Sequence, residues 1–386
     1  MKIQLMNKIA AVGTDVFDRS VYEVGDNLTG ADAIMVRSAA LHDLEFDANL
    51  KAIARCGAGV NNIPIERCTE AGIVVFNTPG ANANGVKELA ICALLLAARN
   101  VVGGIDWAKS LEGTEGVAKA VEAGKSKFAG GEITGKTLGV IGLGAIGGLV
   151  ANAACALGMN VIGCDPYLSV DAAWNISSAV KKVASFEEIY KNSDYITLHV
   201  PATPTTKNMI CADTIAMMKD GVKIINLSRA DLVNAADVKA ALASGKVSAY
   251  VTDFPTEEVV GVPGIVAIPH LGASTAESED NCAVMAAHEL VDFLENGNIK
   301  NSVNFPNVSS PRTDATRVCV LHANVPTLIQ QITSVFADMG ANIENYINKS
   351  KGDNAYSMIE VSATVGEDVA SKIKAIEGVY SVRVIA

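Results

Sequence analysis

Short apolar runs alternate with longer amphipathic stretches along most of this chain, a pattern typical of parallel sheets covered by helices. The runs fall on both sides of a glycine-rich turn. Predicted strands before the turn are 33–36, 52–56 and 73–76, with a helix over 85–100, and those after it are 195–199, 223–227, 247–253 and 265–268. We therefore expect an α/β protein with two doubly wound parallel-sheet lobes.

The C-terminal part has a different order of elements. Apolar spacing predicts a helix from Thr275 to Glu295 that leaves the second lobe and returns to the first, followed by a linker rich in Pro, Ser and Asn. The tail then reads βαββαβ, the order of a ferredoxin-like module. We expect a first lobe over 1–99 and 277–304, a second lobe over 100–276, a linker over 305–315 and the small module over 316–386.

The glycine-rich turn carries the clearest chemical signal. Gly142, Gly144 and Gly147 have the spacing G-x-G-x-x-G, directly after the predicted strand Thr137 to Ile141. Such glycines allow a tight turn, the approach of a pyrophosphate and the close packing of the next helix, whose N-terminus attracts the anion. The triplet alone is equally compatible with an ordinary turn. A second apolar run, Asn160 to Cys164, ends on Asp165 and favours a dinucleotide, and the absence of Arg or Lys at 166–168 favours NAD over NADP.

Composition narrows the functional class. The 386 residues are 49% hydrophobic and 19% charged, as expected for a well-buried enzyme, and the net charge of −11 argues against binding nucleic acid. Eight cysteines are scattered without a C-x-x-C pair, which predicts reduced core thiols and no metal site. With neither a signal-peptide pattern nor an apolar run of about 20 residues, we expect a soluble, cytoplasmic protein.

Three polar residues follow predicted strands of the second lobe, at the edge where ligands bind in open parallel sheets. They are Arg229, Glu257 and His270. Hydride transfer between a nicotinamide and a secondary alcohol needs a proton carrier and a cation, roles that suit His270 and Arg229. Glu257 is the candidate for orienting the imidazole. Each residue alone has an ordinary surface explanation, and the trio together favours catalysis.

Several longer motifs make the chain resemble the D-isomer-specific 2-hydroxyacid dehydrogenases over nearly its whole length. They lie at 135–144, 164–167, 199–206, 226–229 and 269–275. The resemblance implies a flavodoxin-like substrate lobe, a Rossmann NAD lobe and a homodimer or homotetramer. Within the family it implies the branch that oxidises 3-phospho-D-glycerate to 3-phosphohydroxypyruvate with NAD, the first step of serine biosynthesis. Open alternatives are another small 2-hydroxy acid (glyoxylate, hydroxypyruvate or D-lactate) and a non-catalytic NAD-sensing protein.

The same resemblance implies the roles of individual residues. Arg229, Glu257 and His270 take the catalytic roles. The cofactor would contact Gly142, Gly144, Ala145, Ile146, Gly147, Asp165, His199, Val200, Pro201, Thr206, Leu227, Ser228, Asp253 and Gly272. The substrate would contact Arg37, Ser38, Gly57, Ala58, Gly59, Val60, Asn82 and Lys87.

The chain departs from the family pattern next to the catalytic Glu. An Asp usually stands two residues before the Phe of that motif, and Thr252 occupies its place here, with Asp253 one position later. The loop between Glu257 and His270 is also short.

The tail resembles an ACT domain, a regulatory unit that often binds amino acids between paired copies. His322, Asn324 and Asn342 match the residues that bind serine in some relatives, whereas Thr327 replaces a usual Gly. Serine is therefore the expected effector, and a tail that only helps subunits associate is the alternative.

Overall fold

The computed structural model describes residues 1–385, and these fall into two compact units. The first unit comprises Met1–Asn82 and the chain from Glu279 onward, and the second comprises Ala83–Ser278. The sequence boundary at residue 99 would put the helix Ala83–Ala98 in the first lobe, whereas in the structure this helix belongs to the second unit. Eight of its residues are buried, six of them in one core with the second sheet.

The first unit begins with a sheet of five parallel strands. They are β1 (Lys2–Met6), β2 (Glu23–Gly25), β3 (Ala33–Val36), β4 (Ala52–Arg55) and β5 (Val74–Asn77), and short helices α1 (Ala11–Thr14) and α2 (Ile65–Glu70) connect them. The strand order is β2-β1-β3-β4-β5, the flavodoxin-like order that the resemblance implies. The carboxyl ends of β3, β4 and β5 therefore lie side by side.

The second unit is built on seven parallel strands. The helices are α3 (Ala83–Ala98), α4 (Val101–Lys109), α5 (Val117–Gly124), α6 (Ala145–Ala156), α7 (Val170–Trp174), α8 (Phe186–Asn192), α9 (Ala212–Met217) and α10 (Ala235–Ser244). The strands are β6 (Thr137–Ile141), β7 (Asn160–Cys164), β8 (Lys181–Lys182), β9 (Tyr195–Leu198), β10 (Val222–Asn226), β11 (Val247–Thr252) and β12 (Ile265–Ala267). Their order, β12-β11-β10-β9-β6-β7-β8, is the doubly wound order whose direction reverses between β6 and β9. Ligands bind beyond the carboxyl ends of the strands at such a reversal.

Helix α11 (Ala276–Asn296) leads from the second unit into the first, where the chain forms a third, four-stranded sheet. That sheet is antiparallel and contains β13 (Thr316–Ala323), β14 (Ile343–Lys351), β15 (Asn354–Val361) and β16 (Val379–Ile385), with helices α12 (Leu328–Asp338) and α13 (Glu367–Lys374). One face of the sheet packs on α12 and α13. Cys319, Leu321, Tyr356 and Met358 on the other face share a core with α11 and the first sheet.

The sequence-based elements agree closely with the structure where strands are buried. β3, β6 and β7 have the predicted bounds, and the other predicted strands and helices recur with ends displaced by a few residues. The sequence does not predict individually the strands β1, β2 and β8 or the helices α1, α2, α4, α5 and α7 to α10. Of the eight free cysteines, five are buried, but Cys92 is exposed, so the expectation of core thiols is wrong at that position.

No single helix among residues 1–385 is both long and apolar enough to cross a membrane. The bent pair Ala83–Ala98 and Val101–Lys109 reaches that threshold by length and composition alone, with a bend of 73°.

Candidate active site

The glycine turn joins β6 to α6 at the reversal point of the second sheet. Gly142 has φ of +88°, and a Cβ there would lie 2.5 Å from the carbonyl oxygen of His199. A Cβ on Gly147 would lie 1.9 Å from the carbonyl oxygen of Gly142, whereas a Cβ on Gly144 would meet nothing within 4 Å. Gly142 and Gly147 are thus required by the fold, and Gly144 borders open space at the N-terminus of α6. This geometry fits a dinucleotide pyrophosphate.

Asp165 lies beside this turn, at the end of β7. Its Oδ2 accepts the backbone N–H of Leu143 at 2.9 Å, and its Oδ1 accepts the N–H of Tyr167 at 2.8 Å. These bonds orient the carboxylate next to the glycines, where it can accept further bonds from ribose hydroxyls because each oxygen has two lone pairs. The contact with the ribose stays a prediction.

The ends of β9 and β10 border the same turn. Burial lowers the pKa of His199 to about 4, so its ring is neutral at pH 7, and Nε2 bonds the hydroxyl of Thr197 at 2.9 Å. After His199, Val200 lies close to Gly142, and the hydroxyl of Thr206 donates to the carbonyl of Pro201 at 2.6 Å. These contacts shape the loop that the resemblance assigns to the cofactor.

Arg229 is held by the turn that follows β10. Asn226 is fully buried, and its Nδ2 donates to the carbonyl of Arg229 at 2.8 Å, while its Oδ1 accepts the N–H groups of Ser228 and Arg229. The hydroxyl of Ser228 donates to the carbonyl of Leu198 in the neighbouring strand. The guanidinium itself is exposed and forms one bond, to the carbonyl of Ser228 at 2.6 Å. A rigid backbone therefore presents an Arg side chain whose remaining donors are available.

Asp253 is the most unusual group at this edge of the sheet. It is fully buried directly after β11, and among the described residues neither carboxylate oxygen has a hydrogen-bond partner of good geometry. Burial raises the pKa of this carboxyl, and the positive charges of His270 and Arg229 oppose that rise. A Cβ on Gly272 would lie 3.3 Å from Oδ2. Gly272 thus borders the carboxylate of Asp253, and His270 and Arg229 lie near enough to it to influence its charge.

His270 follows β12, and its ring lies on that of Phe254. The ring centroids are 4.9 Å apart and the planes are inclined by 49°. The imidazole is otherwise exposed, and Phe254 limits the directions in which it can point. The sequence alone predicts no role for Phe254. Its place between Asp253 and Glu257, two candidate acids, was the available signal.

Glu257 does not form the predicted pair. It is exposed on the loop after β11, and within residues 1–385 it makes no hydrogen bond or ion pair with His270. The side chain follows Pro255 on a segment without regular structure, so no neighbouring strand determines its direction. Its catalytic role stays a prediction.

The predicted substrate residues of the first unit gather at the carboxyl ends of its strands. Arg37 pairs with Glu279 at 2.5 Å, and the N–H of Ser38 donates to Asn7. After β4, Gly57 has φ of +144°, and the carbonyl of Ala58 accepts Nδ2 of Asn77 at 2.7 Å, which ties the loop 57–60 to the end of β5. Asn82 ends this part of the unit, and Lys87 belongs to α3 of the other unit.

The three predicted effector residues do not meet within one chain. His322 is buried, and its ring bonds the carbonyl of Ala323 and the side chains of Asn348 and Ser357. Asn324 lies just past the same end of β13, where it bonds the carbonyl of Gly352. Asn342 precedes β14 at the opposite end of the sheet, because Ile343 and Thr316 both pair with Val361. His322, Asn324 and Asn342 of one chain therefore do not form a common binding site.

Comparison with known proteins agrees with this architecture. Residues 92–272 match the family model for the NAD-binding domain of the D-isomer specific 2-hydroxyacid dehydrogenases. The D-3-phosphoglycerate dehydrogenase of Escherichia coli K12 is 33% identical over 353 residues, which cover 87% of this chain and 82% of the relative. That of Methanocaldococcus jannaschii is 36% identical over 78% of this chain, and the match spans only 57% of that relative's length.

A solved structure shows the same resemblance. The NAD+-bound 3-phosphoglycerate dehydrogenase of Entamoeba histolytica superimposes with a TM-score of 0.62 at 27% identity, over 79% of this chain and 98% of its own. The glycine turn, the two parallel sheets and the aligned relatives therefore agree. This chain belongs to the D-isomer-specific 2-hydroxyacid dehydrogenase family and carries its NAD-binding domain.

Proposed function

We propose that this protein oxidises 3-phospho-D-glycerate to 3-phosphohydroxypyruvate with NAD. The observation that carries the proposal is the convergence of Arg229, Asp253 and His270 beyond the carboxyl ends of β10, β11 and β12, in the unit that holds the glycine turn. Relatives named as D-3-phosphoglycerate dehydrogenases align with most of the chain. This combination also supports a place at the start of serine biosynthesis.

Each group has a distinct task in this proposal. Bound NAD supplies the hydride acceptor. Arg229 binds the substrate carboxylate through two parallel N–H donors and stabilises negative charge on the reacting oxygen. His270 takes the hydroxyl proton as general base, and an acidic neighbour stabilises the imidazolium that forms. Glu257 has that last task by resemblance, and Asp253 is the carboxylate whose electrostatic coupling to His270 supports it as a second candidate.

A spectrophotometric assay of NADH formation tests the activity. We expect 3-phospho-D-glycerate to have a kcat/KM at least about tenfold above that of D-glycerate, because a charge-assisted hydrogen bond to the phosphate contributes about 1.4 kcal/mol or more. Equal values for the two acids would favour another small 2-hydroxy acid as substrate. No NADH with any acid of the panel would favour a non-catalytic NAD-sensing protein.

We infer that the protein works as a homo-oligomer that pairs through α4. No residue of α4 is buried, and Val101, Val102 and Ile105 are exposed by 44%, 39% and 48%. The rings of Trp107 and Phe128 stack with their centroids 5.2 Å apart. This contact holds α4 against the chain that follows α5, although other apolar side chains of α4 face solvent. A second copy of the same segment would cover this surface.

Sedimentation equilibrium measures this association. We expect Ile105→Asp to lower the molar mass of the assembly toward the 40.1 kDa of one chain. The matched control is Val170→Asp, at an exposed apolar position on α7, which should leave the molar mass unchanged. Unchanged association of Ile105→Asp would contradict pairing through α4.

We also propose that serine binds the C-terminal module only between two copies of the chain. Asn342 of one copy would then meet His322 and Asn324 of the other, because these residues lie at opposite ends of one sheet. Calorimetric titration should give up to two serines per pair of modules, because a two-fold axis repeats the shared site. Serine binding that is retained at dilutions that separate the copies would contradict a shared site.

A further inference from the structure

A cavity of about 520 Å³ lies in the first unit, between strand β14 of the C-terminal module and the end of β5. We call it the seam cavity. Two lysines line it, Lys349 and Lys351, together with polar side chains that include those of Asn77, Asn301, Ser302 and Asn307. Its volume is within the usual range for small-molecule sites. None of the residues assigned to the substrate, the cofactor or serine contributes to its wall.

The charge of the seam cavity is unusual for this protein. The chain has a net charge of −11, yet none of the residues lining the cavity is acidic. Within the described residues, no carboxylate lies within 4 Å of either lysine ammonium. Lys349 and Lys351 are two positions apart on one strand, so their side chains leave the same face. The two lysines are exposed at the edge of the cavity, and they line it without a counter-charge from the described residues.

The walls also supply hydrogen-bond donors. Nζ of Lys351 donates to the carbonyl of Ser302 at 2.8 Å, which positions the ammonium and leaves two of its three N–H groups available. Partial burial lowers the pKa of this lysine, as expected for an ammonium that lacks a counter-charge. Amide side chains around it can complete the coordination of an oxyanion.

The seam cavity is linked by hydrogen bonds to the loop 57–60 of the first unit, which we call the glycine loop. Ser302 forms an antiparallel bridge with Phe76 in β5, and the N–H of Asn77 donates to the carbonyl of Asn301 at 3.3 Å. Asn77 also holds the carbonyl of Ala58 through its side chain. A ligand that orders Asn301 and Ser302 would thus also order the loop 57–60, because Asn77 bonds to both segments.

We propose that the seam cavity binds a small multivalent oxyanion, such as a phosphate group or a polycarboxylate, and that its occupancy stiffens the glycine loop. Two unpaired ammonium groups match the charge of such an anion, and lysines bind phosphate as point charges. The site is separate from the proposed active site and does not depend on the proposed reaction.

Isothermal titration of the full-length protein with inorganic phosphate, and separately with citrate, tests the proposal at constant ionic strength. We expect saturable binding, with the tighter of the two anions identifying the preferred class. The double variant Lys349→Ala/Lys351→Ala should weaken that binding by roughly 10²-fold, about tenfold for each charge-assisted hydrogen bond that the substitutions remove. Failure of both anions to bind the wild-type protein at millimolar concentration would overturn the proposal.

The matched control is Lys181→Ala/Lys182→Ala, which removes the same charge from two exposed lysines on β8 in the other unit. It should bind the anion as the wild type does. Phosphate could also enter the proposed substrate site, and Arg37→Ala separates the two sites because it should leave seam binding intact. Equal affinity of the wild type and the seam double variant, with both folded by circular dichroism, would place the anion elsewhere and contradict the assignment.

Hydrogen–deuterium exchange reports the second half of the proposal. The tighter anion should slow exchange of the amides at 57–60 in the wild type and not in the seam double variant. Unchanged exchange of the loop at saturating anion would show that the site is not coupled to it. Neither experiment requires catalytic activity, so failure of the proposed function would leave both results interpretable.

Discussion

Replacing His270 by alanine should lower kcat for oxidation of 3-phospho-D-glycerate by about 10²- to 10⁴-fold, the usual contribution of a positioned general base. The imidazole is the side chain proposed to accept the hydroxyl proton at the edge where Arg229 and Asp253 lie. Its ring lies against Phe254, and it is not among the residues that the resemblance assigns to the cofactor, so its loss removes no predicted contact with NAD. The affinity for NAD, measured by fluorescence titration, should change by no more than about threefold, and the loss should therefore appear in kcat.

His288→Ala is the matched control, because His288 is exposed on α11 in the first unit. Its kcat should equal that of the wild type. Glu257→Gln and Asp253→Asn then distinguish the two acids, since each substitution removes one negative charge at nearly constant shape. The substitution that reproduces most of the decrease in kcat seen in His270→Ala identifies the carboxylate that is the partner of the imidazole. Turnover near the wild-type level in His270→Ala would contradict the role of His270 itself.

The sequence predicted the framework of this edge better than its side-chain pairs. β6 and β7 have the predicted bounds because buried parallel strands are uninterrupted apolar runs, and a glycine or an aspartate ends each run. Residues that follow such strands must meet at one edge of the sheet. The convergence of Arg229 and His270 with Asp253 could therefore be predicted, and the structure contains it.

The pairing of Glu257 with His270 depends on a loop, and loop conformation has no comparable signal. No periodicity determines where a side chain on the segment after Pro255 points. The same holds for Arg37, whose partner Glu279 is far away in sequence. Helices α4 and α5 were missed for another reason. Helix α4 has no buried residue and α5 buries only Gly124, so neither has the apolar face packed on a core from which a helix is usually predicted.

The C-terminal module shows how a polar interaction distant in sequence can determine stability. Replacing Arg317 by methionine should lower the free energy of unfolding of this module by about 3–5 kcal/mol, the usual cost of breaking a buried ion pair from one side. Arg317 is fully buried, and its Nη2 lies 2.6 Å from Oε1 of Glu360. The guanidinium also donates to the carbonyls of Asn296, Ser310 and Pro311, which fasten α11 and the linker to β13.

Urea unfolding measures the loss, and hydrogen–deuterium exchange of β13 and β15 localises it to the module. In Lys125→Met, which breaks an exposed pair with Glu122, stability should change by less than about 1 kcal/mol. The double variant Arg317→Met/Glu360→Met should recover part of the loss, because it removes the orphaned carboxylate but still leaves three carbonyls without their donor.

The pH dependence gives an independent check on the same pair. Burial alone would raise the pKa of Glu360, but the hydrogen bonds and charge of Arg317 lower it overall. A carboxyl whose pKa is lowered by folding stabilises the folded state above its ordinary pKa of about 4.5, and this stabilisation is lost as the pH falls through the folded value. Wild-type stability should therefore decrease on acidification below about pH 4.5. In Arg317→Met this contribution should disappear, because the unpaired Glu360 no longer favours the ionised form. A variant with the stability and acid dependence of the wild type would show that the guanidinium does not hold the module to α11 and the linker.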